Sequence, residues 1–255
     1  MTLHIPEEHF FPWSPDSPFL YDLTVGTTQG EEEQRDTVHS YFALRKWSCA
    51  PDVHGIMRFC LNGKPILLNG LLDQGYWPEG LYTPPSDGAV VRELQTIKEL
   101  GFNLLRKHAK IEPQRWYYHC DKLGLIVWQD MVNGGGPYKL WFVTYLTNVF
   151  QPLLRRLPDA RPLWGLLGRE TEAGREEYAR ELEATVKTLQ CHPCVGCWVP
   201  FNEGWGQFDA AGAVEAVRRL DDTRLVDEAS GWYDQAGEMW IPCTTICTRS
   251  GSGPG

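Results

Sequence analysis

From residue 66 onward, short apolar runs alternate with stretches whose apolar positions recur every three or four residues. The runs at 66–72, 102–106, 125–129, 195–201 and 224–227 predict buried strands, and the periodic stretches at 88–100, 113–123, 175–189 and 210–220 predict amphipathic helices between them. Strand and helix in strict alternation predict βα units around a parallel sheet. Gly101 and Gly124 each end a helix and lead into the next strand.

Before residue 56 the pattern is different. Residues 21–25 and 41–47 read as strands, with 26–36 as a polar connection that includes the charge run 31–33, a solvated loop rather than a binding site. Two or three strands cannot bury two faces, so this stretch reads as the end of a β-sandwich whose beginning is absent. Residues 57–61 and 64–69 flank Asn62-Gly63, the signal of a tight hairpin. Residues 133–173 interrupt the βα rhythm with glycines, prolines, aromatics and arginines, as an insertion that either caps the site or is disordered.

The residues that follow the strands carry the candidate chemistry. They are Asp73 to Trp77, Lys107-His108, Asp130-Met131, Asn202-Glu203 and Glu228 to Trp232, so polar and aromatic groups collect where strands end. The run Cys197-Trp198-Val199-Pro200-Phe201-Asn202-Glu203-Gly204-Trp205 is the sharpest. A carboxylate walled by Trp198, Phe201 and Trp205 would be poorly hydrated, held above its usual pKa and able to donate a proton. Asn202 offers a donor and an acceptor to a sugar hydroxyl, and indole faces suit a pyranose. The plain alternative is a capping Asn before a surface Glu.

Composition narrows the partners. A net charge of −9 argues against nucleic acid or an anionic membrane surface, and neither a leader pattern nor a long apolar run predicts targeting or a membrane span. A cytoplasmic setting is the expectation. Eight cysteines over 255 residues lack the density of a disulfide scaffold. The spacing Cys191, Cys194, Cys197 beside His192 suggests a metal, but Cys194 leads directly into a predicted strand and Cys197 falls inside it, so no metal is expected. No cofactor is called for: Gly134-Gly135-Gly136 lacks the helix and lysine of a phosphate loop, which disfavours a nucleotide-dependent enzyme. The sequence carries no sign of an oligomeric state.

Over residues 13–234 the chain resembles glycoside hydrolase family 2, the family of β-galactosidases, β-glucuronidases and β-mannosidases. The residues that carry this are Trp13-Ser14-Pro15-Asp16-Ser17-Pro18, Leu20-Tyr21-Asp22, Leu61-Asn62-Gly63-Lys64-Pro65, Asn103 with Arg106, and Phe201-Asn202-Glu203 with Trp205. The resemblance implies an immunoglobulin-like sandwich over 1–55 leading into an α/β fold, a partial (β/α)8 barrel of about five strands over 56–238. It implies hydrolysis of a β-glycoside with retention, Glu203 as general acid/base, Asn202 on the 2-hydroxyl, Arg106 as a support and His108 in the sugar pocket. Asp73, Asp130, Trp205 and Trp232 are further candidates for binding the carbohydrate.

The chain departs from that pattern at its end. Retention needs two carboxyl groups about 5 Å apart, and no acidic residue after Glu203 stands where a seventh strand would end, so the nucleophile is expected to be missing. A non-catalytic carbohydrate-binding or vestigial fragment is the alternative. Missing strands would leave an open edge and poor solubility. Residues 239–255 abandon the βα pattern, and the fixed codons of Met239 and Trp240 permit a reading-frame slip there.

Overall fold

The computed structural model describes residues 3–29, 34–154 and 157–235. The charge run at 31–33 and the atypical tail at 239–255 lie outside them. Strands β1 (Tyr21–Gln29) and β2 (Gln34–Phe42) form an antiparallel ribbon with Val25 opposite Val38. Both continue through much of the expected polar connection, because a ribbon solvated on both faces tolerates polar side chains wherever the cross-strand ladder is kept. The expected strand at 41–47 divides: Tyr41 and Phe42 close β2, and Trp47 opens β3 (Trp47–Pro51).

Strand β3 pairs with β4 (Met57–Leu61), and β4 with β5 (Lys64–Pro65). The β4–β5 turn has Asn62 at φ 53° and Gly63 at φ 77°, both left-handed, as a two-residue hairpin of this twist requires. These antiparallel pieces fit the end of a preceding sandwich.

The main sheet is parallel. In chain order it contains β6 (Gly70–Asp73), β7 (Leu104–Lys107), β8 (Ile126–Asp130), β9 (Val195–Val199) and β10 (Leu225–Val226). Each strand lies beside its predecessor with no reversal, the winding of a barrel and not of a doubly wound sheet. The crossovers are α1 (Asp87–Glu99), α2 (Gln114–Leu123), an insertion carrying the short α3 (Thr147–Val149) and α4 (Gln151–Leu154) followed by α5 (Glu172–Leu189), and α6 (Ala210–Leu220). Helix α5 starts earlier than its apolar period suggests, because the Thr171 side chain accepts a hydrogen bond from the Gly174 N–H and caps it. Gly124 ends α2 at φ 71°, where an added Cβ would stand 2.5 Å from the Pro15 carbonyl oxygen.

The core lies between the sheet and its helices, with Leu105, Ile126, Val127 and Val195 fully buried. The β3–β5 sheet covers the opposite face near the strands' N-terminal ends: Phe59 meets Trp128 edge-on at 5.6 Å, and the Trp47 indole lies over Gly196, leaving no room for a Cβ there. Pairing between β8 and β9 shifts register beside Gly196, so one extra residue is accommodated where the indole presses on the sheet. The outer edge of β6 is unpaired among the described residues, and Leu72 beside it is 42% exposed. An open groove of about 500 Å³ follows this edge on the helix side, lined by Leu72, Asp73, Glu93 and Ile97. Among the described residues no helix is long and apolar enough to cross a membrane.

Candidate active site

Alternation along β7 sends Arg106 and Lys107 to opposite faces of the sheet. Lys107 goes to the helix side. Its ammonium pairs with Asp73 at 2.6 Å and Glu112 at 2.8 Å and sits 4.4 Å over the Trp116 ring. Asp73 therefore ends its strand bound to Lys107, and its other oxygen accepts the Gly75 N–H at 2.7 Å. The structure does not bring it to Arg106.

Arg106 turns inward, where its Nε donates to Asp130 Oδ1 at 3.0 Å and its Nη2 donates to Asn202 Oδ1 at 2.7 Å and Ser230 Oγ at 2.6 Å. One guanidinium thus ties together the ends of β7, β8, β9 and β10. Because Asn202 Oδ1 accepts from arginine, its Nδ2 is the atom that faces His108 Nε2 at 3.0 Å. An amide N–H can only donate, so His108 Nε2 accepts and the ring proton resides on Nδ1. Burial, then the Arg106 charge, lowers the His108 pKa against an opposing pull from Glu203, which agrees with a neutral ring.

Asp130 is fully buried, and its Oδ2 has no partner. Burial pushes its pKa up to about 7 despite Arg106. Asp227, at the foot of the loop after β10, is raised by the same cause, and its Oδ1 accepts the Ser230 N–H at 3.1 Å. The Arg106 charge acts on both carboxyl groups but is bonded only to Asp130, whose burial favours a proton on it near neutral pH. Asp227 and Ser230 were not singled out from sequence. Their signal was faint, since a serine before glycine in a strand-end loop is what an ordinary turn also contains.

Asn202 and Glu203 part company immediately after β9. Phe201 is extended, and Glu203 adopts φ 49° and ψ 31°, a left-handed conformation that costs a non-glycine residue about 1–2 kcal/mol. The turn leaves Asn202 buried against Arg106 and Glu203 exposed. The expected indole wall around Glu203 does not form. Trp198 lies on the helix side, where its Nε1 bonds Asp221 at 2.8 Å; Phe201 stacks on Tyr178; Trp205 meets Tyr138 edge-on. Residues adjacent in the chain are dispersed to three places by strand alternation and the turn, so the desolvation expected for this carboxylate is absent.

The described residues of the insertion pack on the loops that follow β9 and β10. Phe142, Val143 and Leu167 form a cluster with Tyr233, against which Trp205 and Trp232 also pack. Thr147 Oγ1 and Tyr233 OH are hydrogen bonded, and Arg169 Nε donates to the Gly206 carbonyl at 2.9 Å. Both tryptophans thereby join the wall made by the insertion, while Arg106, His108, Asp130 and Asn202 form the connected polar floor. Cys194 and Cys197 are buried on and beside β9, and among the described residues no group of His, Cys, Asp or Glu is arranged to hold a metal ion.

The chain is 24% identical over 231 residues to a β-galactosidase of Pectobacterium atrosepticum, an alignment covering 90% of this chain and 19% of that protein. Among solved structures it is similar to a β-glucuronidase of Parabacteroides merdae, with TM-score 0.62 and 21% identity over 85% of this chain and 24% of the other. It is also similar to a GH2 β-galacturonidase of Eisenbergiella tayi bound to galacturonate, with TM-score 0.66 and 18% identity over 88% of this chain and 35% of the other. The chain thus spans well under half the length of these relatives. The family profile described as glycosyl hydrolases family 2, TIM barrel domain, matches residues 53–247, and the chain belongs to that family.

Proposed function

We propose that this chain forms the acid/base half of a β-glycosidase site that works with retention of configuration. The observation that carries the reading is the relay from Arg106 through Asn202 to His108, with Glu203 exposed beside it at the end of a parallel strand. An asparagine whose oxygen is consumed by arginine and whose amide reaches a neutral histidine is rigidly oriented, which suits it to a sugar 2-hydroxyl. Glu203, open to solvent, is accessible to a leaving-group oxygen as general acid. Asp130 is buried and bonded to Arg106, and Asp227 accepts the Ser230 N–H, so neither suits the nucleophile, which we assign to a carboxylate outside these residues. In this reading residues 1–55 are the end of an immunoglobulin-like sandwich and 56–238 the first part of the barrel. The six described cysteines are free thiols, which supports a reducing, cytoplasmic setting.

The test is titration of the chain with nitrophenyl β-glucuronide, β-galactoside and β-mannoside, followed by tryptophan fluorescence and by nitrophenol release. We expect saturable binding of at least one glycoside without turnover by the chain alone. Turnover lost in Glu203→Gln should be seen when the remaining barrel is supplied. Absence of binding by any β-glycoside, or full activity of the Glu203→Gln protein in the completed barrel, would overturn the reading.

A further inference from the structure

At the opposite end of the sheet, below the turn from α5 into β9, His192 is held in an unusual way. Its Nδ1 lies 2.7 Å from Asp121 Oδ2, and the same carboxylate accepts Tyr41 OH at 2.6 Å and, through Oδ1, the Cys194 N–H at 2.8 Å. The ring is 5% exposed, and Nε2 has no hydrogen-bonding partner. Burial alone would lower the His192 pKa, but Asp121 and Cys191 reverse that and raise it to about 9, so the ring is an imidazolium at neutral pH. A buried imidazolium N–H without an acceptor is costly. Cys191, exposed and next to it in the chain, is the neighbour whose sulfur can accept; it is turned to the Thr188 carbonyl at 3.6 Å as a thiol.

We infer that Cys191, backed by His192 and Asp121, is a reactive thiol that forms mixed disulfides with low-molecular-weight disulfides. Ionised, the sulfur loses its bond to Thr188 and gains the His192 Nε2–H, which supplies the missing acceptor. The remaining charges facing the pair do not cancel this. The Tyr41 phenol is held protonated by burial and Asp121, the buried Cys194 thiol is raised, and Arg224 donates to the His192 carbonyl at 2.8 Å. Arg45, which donates to the Pro193 carbonyl at 3.1 Å, adds a second nearby cation, and Tyr117 faces the ring with its phenol raised by burial. The C-terminal end of α5 opposes a thiolate, but a full positive charge outweighs a fractional one. Direction agrees: the Cys191 pKa is lowered, with the neighbouring His192 as the largest influence.

In the reaction, the Cys191 thiolate attacks one sulfur of a disulfide RS–SR. The RS–SR bond breaks as the Cys191–SR bond forms, and the departing thiolate takes a proton from water. Cys191 is oxidised and one RS group reduced, with the added disulfide as oxidant. Cys191, His192 and Asp121 have hydrogen-bond partners different from those of Arg106, so the failure or success of this site leaves the glycosidase reading untouched.

The experiment is iodoacetamide alkylation of the full chain across pH 5.5–9.5, mapped by peptide mass spectrometry, with oxidised glutathione as the second probe. Cys191 should react several-fold faster at pH 6.5 than free glutathione thiol under the same conditions, and it should be the principal carrier of the glutathione adduct. His192→Gln should remove the advantage. A Cys191 rate profile superimposable on that of the free thiol, or an adduct confined to another cysteine, would overturn the inference. Both readouts are obtained on the unsubstituted chain, so they stand even if His192→Gln does not fold.

Discussion

The two ends of the parallel sheet each hold a buried arginine paired with an aspartate, and they use it in opposite ways. Arg224 donates to Asp221 at 2.6 Å and to the main-chain carbonyls of Val195, Gln190 and His192, each at 2.8 Å. Every one of those acceptors is tied to the backbone or to a helix end. Arg106 donates instead to three side chains, Asp130, Asn202 and Ser230, and leaves Asp130 Oδ2 without a partner. An arginine spent on carbonyls fastens the fold, whereas one spent on side chains orients groups that can in turn meet a ligand.

Removing the fastening arginine should have the largest effect. Arg224→Met strands Asp221 and three carbonyls, and we expect a loss of about 3–5 kcal/mol in urea unfolding. Arg106→Met should cost less, because Asp130 is already poised to take up a proton. Equal losses would mean that the two arginines are equivalent.

pH separates the two ends next. The folded pKa of Asp130 is raised to about 7, so between pH 4 and 7 the folded state binds a proton that the unfolded state has lost, and stability falls as pH rises through that window. His192, raised to about 9, contributes stability that is complete below about pH 6.5 and is lost as pH rises towards 9. Asp130→Asn should flatten the lower window by about 1–3 kcal/mol, and His192→Gln the upper one. Unfolding measured at pH 5, 7 and 9 resolves the two; a single substitution flattening both windows would show that the ends are coupled.

Smaller effects sharpen the contrast within the C-terminal end itself. Asn202→Ala should weaken glycoside binding about tenfold and cost about 1–2 kcal/mol in unfolding, because it removes an acceptor of the buried Arg106 guanidinium. Asp73→Asn should cost about 1 kcal/mol of stability through Lys107 while leaving glycoside affinity alone. If Asp73→Asn impaired binding as Asn202→Ala does, position at a strand end would matter more than the face of the sheet.

Much of the architecture could be read from the chain because periodicity reports on burial. The helix at 210–220 starts and stops where its apolar positions do, and the Asn62-Gly63 turn follows from two left-handed residues. Arg106 and Asn202 could be placed together because a strand's last residues share one rim. What the chain concealed was direction. Trp198, Phe201 and Trp205 surround Glu203 in sequence and desert it in space, since side chains two or three apart in an extended segment that then turns left-handed point to different neighbours. Asp73 misleads for the same reason, one residue's difference in parity sending it to Lys107. Asp227 and Ser230 were hidden because their importance comes from Arg106, more than a hundred residues earlier.

The indole of Trp47, seated on Gly196, has a consequence for how this polypeptide can be divided. A cut at residue 55 follows the change in sequence character, yet it would uncover Ile126 and Gly196 at the end of the sheet opposite the Arg106 network. Calorimetry of the chain should therefore show the antiparallel segment and the βα units melting in one event, and a protein begun at residue 56 should be recovered from inclusion bodies.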